Sequence, residues 1–91
     1  MEKTQIILPP FFIEVDGVIV EVLEVVKRTS MTGYSWYSVA VRYRYKGIRS
    51  KIIHYDVKDT EDLKNKLKVE VAKIKFLEAT FGINYVREVL L

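Results

Sequence analysis

Five cations and no acid lie between Tyr34 and Tyr55, in the stretch YSWYSVAVRYRYKGIRSKIIHY, where six aromatic rings are interleaved with them. Guanidinium groups beside aromatic faces suit nucleic acid, because phosphates and bases can be engaged side by side. Two alternating, β-branched and aromatic runs flank Lys46-Gly47, the signature of a tight hairpin whose turn residues need positive φ. With Tyr45 facing Ile48, the register pairs Arg44 with Arg49, Arg42 with Lys51, Ala40 with Ile53 and Ser38 with Tyr55. Strand alternation then puts Tyr37, Val39, Val41, Tyr43, Tyr45, Ile48, Ser50, Ile52 and His54 on one face. The other face carries a two-by-two block of Arg42, Arg44, Arg49 and Lys51, with Trp36 and Tyr55 farther along.

Like charges directly opposite each other destabilise a sheet, so this block needs counter-charge. An anionic ligand would supply it, with Arg42, Arg44, Arg49 and Lys51 on phosphates and Trp36 and Tyr55 stacking on bases. Lys27 and Arg28, in the polar connection KRTSMTGYS, would extend the footprint. Alternatively the protein supplies it from Glu21 and Glu24, in a surface ion-pair lattice of the kind found in heat-adapted proteins. The composition suits the second idea, with one glutamine and two asparagines among abundant Lys, Glu, Ile and Val.

Other chemistry has weaker support. The single histidine, His54, is assigned to the apolar face and reads as a hydrogen-bonded core residue, since no partner for catalysis has recognisable spacing. The carboxylates show neither metal-ligand nor calcium-loop spacing, and the four glycines are isolated, so no metal, phosphate loop or cofactor is expected. Cysteine is absent, which removes thiolate catalysis and zinc-finger ligation. The lysines Lys64, Lys66, Lys68, Lys73 and Lys75 read as a solvated helix surface. The aromatic consensus of an RNA-recognition motif, the GXXG of a KH domain and a cold-shock signature are all absent.

The chain of 91 residues is 49% apolar and 30% charged, which suits one domain spanning 1–91 with a modest core. Its net charge of +3 is unevenly spread. Residues 1–33 hold five acids and three bases, 34–55 hold five bases alone, and 56–91 hold seven of each. No apolar run reaches transmembrane length and no signal-peptide pattern opens the chain, so an intracellular, cytoplasmic protein without membrane contact is expected.

The elements that must position the basic stretch follow from local pattern. Met1 to Leu8 reads as coil or a short edge strand through Ile6 and Leu8, stopped by Pro9-Pro10. Asp16-Gly17 is the turn of a first hairpin, with Phe11, Ile13, Val15, Val18, Val20 and Val22 on one face and a β-bulge near 22–24. Asp59 or Thr60 is a good N-cap, and Leu63, Leu67, Val71, Ile74, Leu77 and Phe81 recur at helical spacing up to Gly82. Asn84 is placed to cap a short terminal helix.

The expected architecture is α+β. Two hairpins, about 11–26 and 35–56, form a four-stranded antiparallel sheet, covered on one face by a long helix at about 60–81 plus a short one at about 84–91. A small non-enzymatic nucleic-acid-binding protein, for DNA or RNA, is the leading functional expectation. The other is an interaction or assembly module, a homodimer through Tyr85, Val86, Val89 and Leu90, because so small a domain gains core by association.

Overall fold

The computed structural model describes residues 3–8 and 10–91, of which 3–8 are described in backbone only. Six strands and two helices follow in order: β1 (Lys3–Leu8), β2 (Phe11–Val15), β3 (Val18–Thr29), β4 (Ser35–Tyr45), β5 (Ile48–Arg49), β6 (Ile53–Val57), α1 (Thr60–Phe81) and α2 (Ile83–Leu90). All strands belong to one antiparallel sheet. Long β3 and β4 pair centrally. β2 and then β1 run along the free edge of β3, while β5 and then β6 run along that of β4. The α+β class, the two hairpins and the covering helices are as the sequence pattern predicts. Two strands are additional: Lys3–Leu8 is a true edge strand, and the fourth predicted strand is divided into β5 and β6.

Both hairpin turns adopt the geometry their sequences demand. Asp16 and Lys46 have φ of 48° and 49°, and Gly17 and Gly47 follow at 82° and 80°. Left-handed backbone at two successive positions is the type I′ turn, whose twist matches that of the strands. The predicted bulge is also present, where the register shifts between Val22 and Glu24. It turns Glu24 outward and lets Val25 continue the buried row, so the strand avoids burying a charge.

The core lies between one sheet face and the helices. Val18, Val20, Val22, Val25, Val39, Val41, Tyr43 and Ile48 meet Leu67, Val71 and Ile74 of α1 and Val86 and Leu90 of α2. Asp59 begins α1 by accepting the backbone N–H of Asp62 at 2.8 Å, and the Asp62 carboxylate accepts that of Lys58 at 3.0 Å. This reciprocal cap satisfies two amide donors at the positive end of the helix. Hydrogen bonds from Lys58 and Lys66 hold the Asp62 carboxyl below its usual range. α1 ends at Gly82, whose φ of 90° turns the chain directly into α2. The short helix therefore starts at Ile83 with no side-chain cap, and Asn84 lies inside it. Phe81 lies largely exposed beside Tyr85, with ring centroids 4.7 Å apart, so the apolar stripe of α1 effectively ends at Leu77.

The second hairpin departs from the simple register. Tyr45–Ile48 and Arg44–Arg49 pair as expected, but beyond them Val41 faces Ile53, Ala40 faces His54 and Val39 faces Tyr55. One residue has been inserted. The Ser50 hydroxyl accepts the Tyr43 N–H at 2.8 Å, while the Ser50 N–H goes to the Tyr43 carbonyl at 2.8 Å. The Lys51 N–H is drawn out of the ladder to the Leu90 carbonyl at 3.0 Å. The parity of everything after Ser50 flips, because a one-residue shift exchanges the two faces of a strand. Ile53, Tyr55 and Val57 therefore face the core, and Ile52 and His54 are exposed.

Candidate nucleic-acid interface on the open sheet face

The face turned away from the helices is built in rows that cross the strands. One row runs Glu14, Ile19, Arg44, Arg49, and the next Phe12, Glu21, Arg42. Farther on come Glu24, Ala40 and His54, then Val26, Ser38 and Asp56, then Arg28 and Trp36. The predicted two-by-two block of cations thus becomes a cluster of three arginines, because the bulge removes Lys51 from the position opposite Arg42.

Glu21 sits at the centre of this cluster and is the one buried carboxylate among the described residues, only 6% exposed. Phe12 flanks it on β2 and Arg42 on β4. Its carboxylate accepts a hydrogen bond from Arg49 Nη2 at 3.4 Å and lies 3.6 Å from Arg44 Nη1, which is ion-pair rather than hydrogen-bond distance. A single carboxylate shared by Arg44 and Arg49, with Arg42 directly across the strand pair, leaves the cluster cationic. Arg44 and Arg49 keep 47% and 59% of their side chains exposed. Arg42 Nε is buried with no hydrogen-bond partner. The ion-pair expectation is met for Glu21 alone, since Glu24 faces Ala40 and makes no ion pair among the described residues.

The remaining candidates separate. Trp36 is on the open face, half-buried and stacked on Tyr34 at 5.8 Å between centroids. Tyr55, expected to stack there too, faces the core, where its hydroxyl meets that of Tyr43 at 2.8 Å. Burial pushes both phenols upward, so they remain neutral hydrogen-bonding groups. Lys27 shares the face of Val25 and Tyr37, on the helix side. Arg28 does lie on the open face, where its Nε donates to Ser38 Oγ at 2.8 Å and Ser38 donates in turn to Asp56 at 2.7 Å. His54 is exposed on the open face beside Ala40, which overturns its assignment to the core.

Phe12 is the functional candidate the sequence reading passed over. It is 64% exposed, adjoins the arginine cluster, and with Ile13, Glu14, Ile19 and Arg44 lines a shallow depression. The signal was available, since strand parity assigns Phe12 to the face opposite Phe11. At the hairpin tip, Tyr45 donates to Glu78 at 2.6 Å and Lys46 pairs with the same carboxylate. This ties β4 to α1 and holds the Glu78 carboxyl below its usual range, chiefly through Lys46.

Among the described residues no group of acids and histidine is placed to hold a metal ion, and no helix is long and apolar enough to cross a membrane. Of the residues expected at a dimer contact, Val86 and Leu90 are taken by the protein's own core, whereas Tyr85 and Val89 are exposed. Protein-family models, curated proteins and solved structures yield no match to this chain.

Proposed function

We propose that the open sheet face binds nucleic acid through Arg42, Arg44 and Arg49, with Phe12 as an apolar platform beside them and Trp36 three rows farther along the same face. The observation that carries this reading is the arithmetic of the cluster: three arginines occupy neighbouring positions on the face, one buried carboxylate pairs with only Arg44 and Arg49, and both of these stay about half exposed. Glu21 fixes the arginines in place and leaves them under-neutralised, which suits recognition of a phosphodiester backbone. The exposed Phe12 ring beside them offers a stacking surface that tolerates any base, and the half-buried Trp36 a second one farther along the face. Glu14, Glu24 and Asp56 on the same face confine the positive region to the β3–β4–β5 end.

Fluorescence anisotropy with labelled single- and double-stranded oligonucleotides over a salt series tests this. Three phosphate contacts give a log K against log salt slope of about −2 to −3. Removing one cation by Arg49→Ala should make the slope shallower by just under one unit on duplex DNA. Absence of binding at low salt ends the proposal.

The ion pairs of Glu21 support a second reading, in which the arginines serve the fold and the protein is an interaction or assembly module. Arg44→Thr separates the two. A low-salt loss of stability with oligonucleotide binding unchanged favours the structural role. Self-association in that reading would use Tyr85 and Val89 together with Phe81, and light scattering that gives a monomer at high concentration removes it.

A further inference from the structure

The face of α1 turned away from the sheet carries a second apolar stripe. Val69, Ala72, Phe76 and Ala79 follow at spacings of three, four and three, with Asn65 four residues earlier. At 100° per residue they fall within an arc about 80° wide, on the side opposite the buried Leu67, Val71 and Ile74. All are exposed, Val69 by 63% and Phe76 by 65%. Lysines frame the stripe on both sides, Lys68 and Lys75 along one edge and Lys66 and Lys73 along the other. Lys66 pairs with Asp62 and Lys73 with Glu70, while Lys68 and Lys75 make no ion pair among the described residues. The remaining acids of α1 are drawn elsewhere: Glu61 sits in the first turn, and Glu78 is held by Tyr45 and Lys46 at the sheet.

We infer that this stripe is a docking seam for an acidic amphipathic helix of another protein. Alternating three- and four-residue spacing is that of the a and d positions of a helix pair, and alanines alternating with Val69 and Phe76 leave room for a partner's knobs. The width argues against a lipid surface, since interfacial helices present a broad, bulky apolar face. Charge argues against a second copy of this chain. Antiparallel pairing that sets Phe76 over Ala72 of the copy brings Lys73 and Lys75 beside their own counterparts, and parallel pairing sets Lys68 against Lys73. Residues flanking such a seam select the partner by charge, so lysines on both edges call for glutamate or aspartate opposite.

The probe is a synthetic helical peptide of three heptads with leucine at a and d and glutamate at e and g, whose like charges oppose self-pairing. A second peptide with lysine at e and g is the control. Fluorescence anisotropy should show binding of the acidic peptide alone. Phe76→Ser, on an exposed position and so neutral for folding by circular dichroism, should weaken it about tenfold or more. The charge-swapped Lys68→Glu/Lys75→Glu protein should lose the acidic peptide and accept the lysine one. Failure of the acidic peptide to bind, equal binding by Phe76→Ser, or equal binding of both peptides would overturn the inference. So would a homodimer that Phe76→Ser dissolves, or uptake of the protein but not of Phe76→Ser by phosphatidylserine vesicles in place of peptide binding.

Discussion

The two cation-bearing surfaces of this protein handle their charge in opposite ways. On the open sheet face, Arg42, Arg44 and Arg49 gather around one buried carboxylate at distances of 3.4 and 3.6 Å for the two that pair with it. On α1, lysines are spread along a helix and paired one to one with neighbours three or four residues away, or left in solvent. The sheet arrangement is convergent, so each charge depends on the others and on Glu21. The helix arrangement is additive, and each lysine can be changed alone. Charge density along the sequence shows only the first, because residues 56–91 balance to zero while their acids and bases point in different directions.

The largest expected effect comes from Glu21. Glu21→Gln keeps the shape but leaves Arg44 and Arg49 without their counter-charge, with Arg42 across the strand pair. Because the arginines are half-exposed, the cost should be about 1–3 kcal/mol, below that of a fully buried broken pair. Thermal unfolding should register roughly 4–8 °C per kcal/mol in a domain of this size. A change under a degree would mean that the cluster is not convergent.

Arg44→Thr should do less, since Arg49 still reaches Glu21. A loss of about 0.2–1 kcal/mol at low salt, mostly masked at high salt, is expected from unfolding curves at two ionic strengths. A gain in stability would show instead that repulsion among the arginines outweighs their shared ion pair.

The hairpin-tip contact sets a pH window. The folded Glu78 carboxyl lies below its usual range, chiefly through its hydrogen bond from Lys46. Its contribution is therefore present above the ordinary glutamate pKa of about 4.3 and is lost as pH falls through the folded value. Lys46 is raised by the same contact, and Tyr45 is raised by its hydrogen bond to Glu78. Their contributions hold below about pH 10 and fade as pH rises through the folded values. The unfolding temperature of wild type minus that of Glu78→Gln should thus be flat from about pH 5 to 9 and shrink at both ends. A difference that persists at pH 3 would assign the stabilisation to packing rather than charge.

The smallest effect belongs to the helix surface. Lys68→Gln should stay within about 0.5 kcal/mol of wild type and leave oligonucleotide binding unchanged if the sheet face is the site. An affinity loss matching that of Arg49→Ala would move the nucleic-acid footprint onto α1 and dissolve the distinction between the two surfaces.

Much of the fold is legible because it rests on local rules. Asp16-Gly17 and Lys46-Gly47 supply the left-handed residues of their turns, and the break in alternation at Leu23 and Glu24 marks a bulge that spares a carboxylate from burial. The spacing from Leu63 to Leu77 marks the helix face. These devices act within a few residues, so type and spacing alone determine them. The parity of β6 is different. Ile52 and Ile53 are adjacent and apolar, so either register offers the core an isoleucine. A hint lies in Val57, which continues the parity of Ile53 and Tyr55, whereas the other parity buries His54 and leads to Asp56. The register is fixed by the Ser50 hydroxyl on the Tyr43 amide, the Tyr43–Tyr55 contact and the Lys51 amide bound to Leu90, nearly forty residues on in the chain. The last of these exists only once α2 has docked. Together these contacts remove Lys51 and Tyr55 from the basic face, while the β2–β3–β4 register sets Phe12 beside it and Glu21 pairs with Arg44 and Arg49 in place of a lattice shared with Glu24. The sequence by itself determined where the chain turns, coils and alternates; tertiary packing decided which side chains meet on each face, because a one-residue slip leaves the local preferences almost unchanged while exchanging every contact across the sheet.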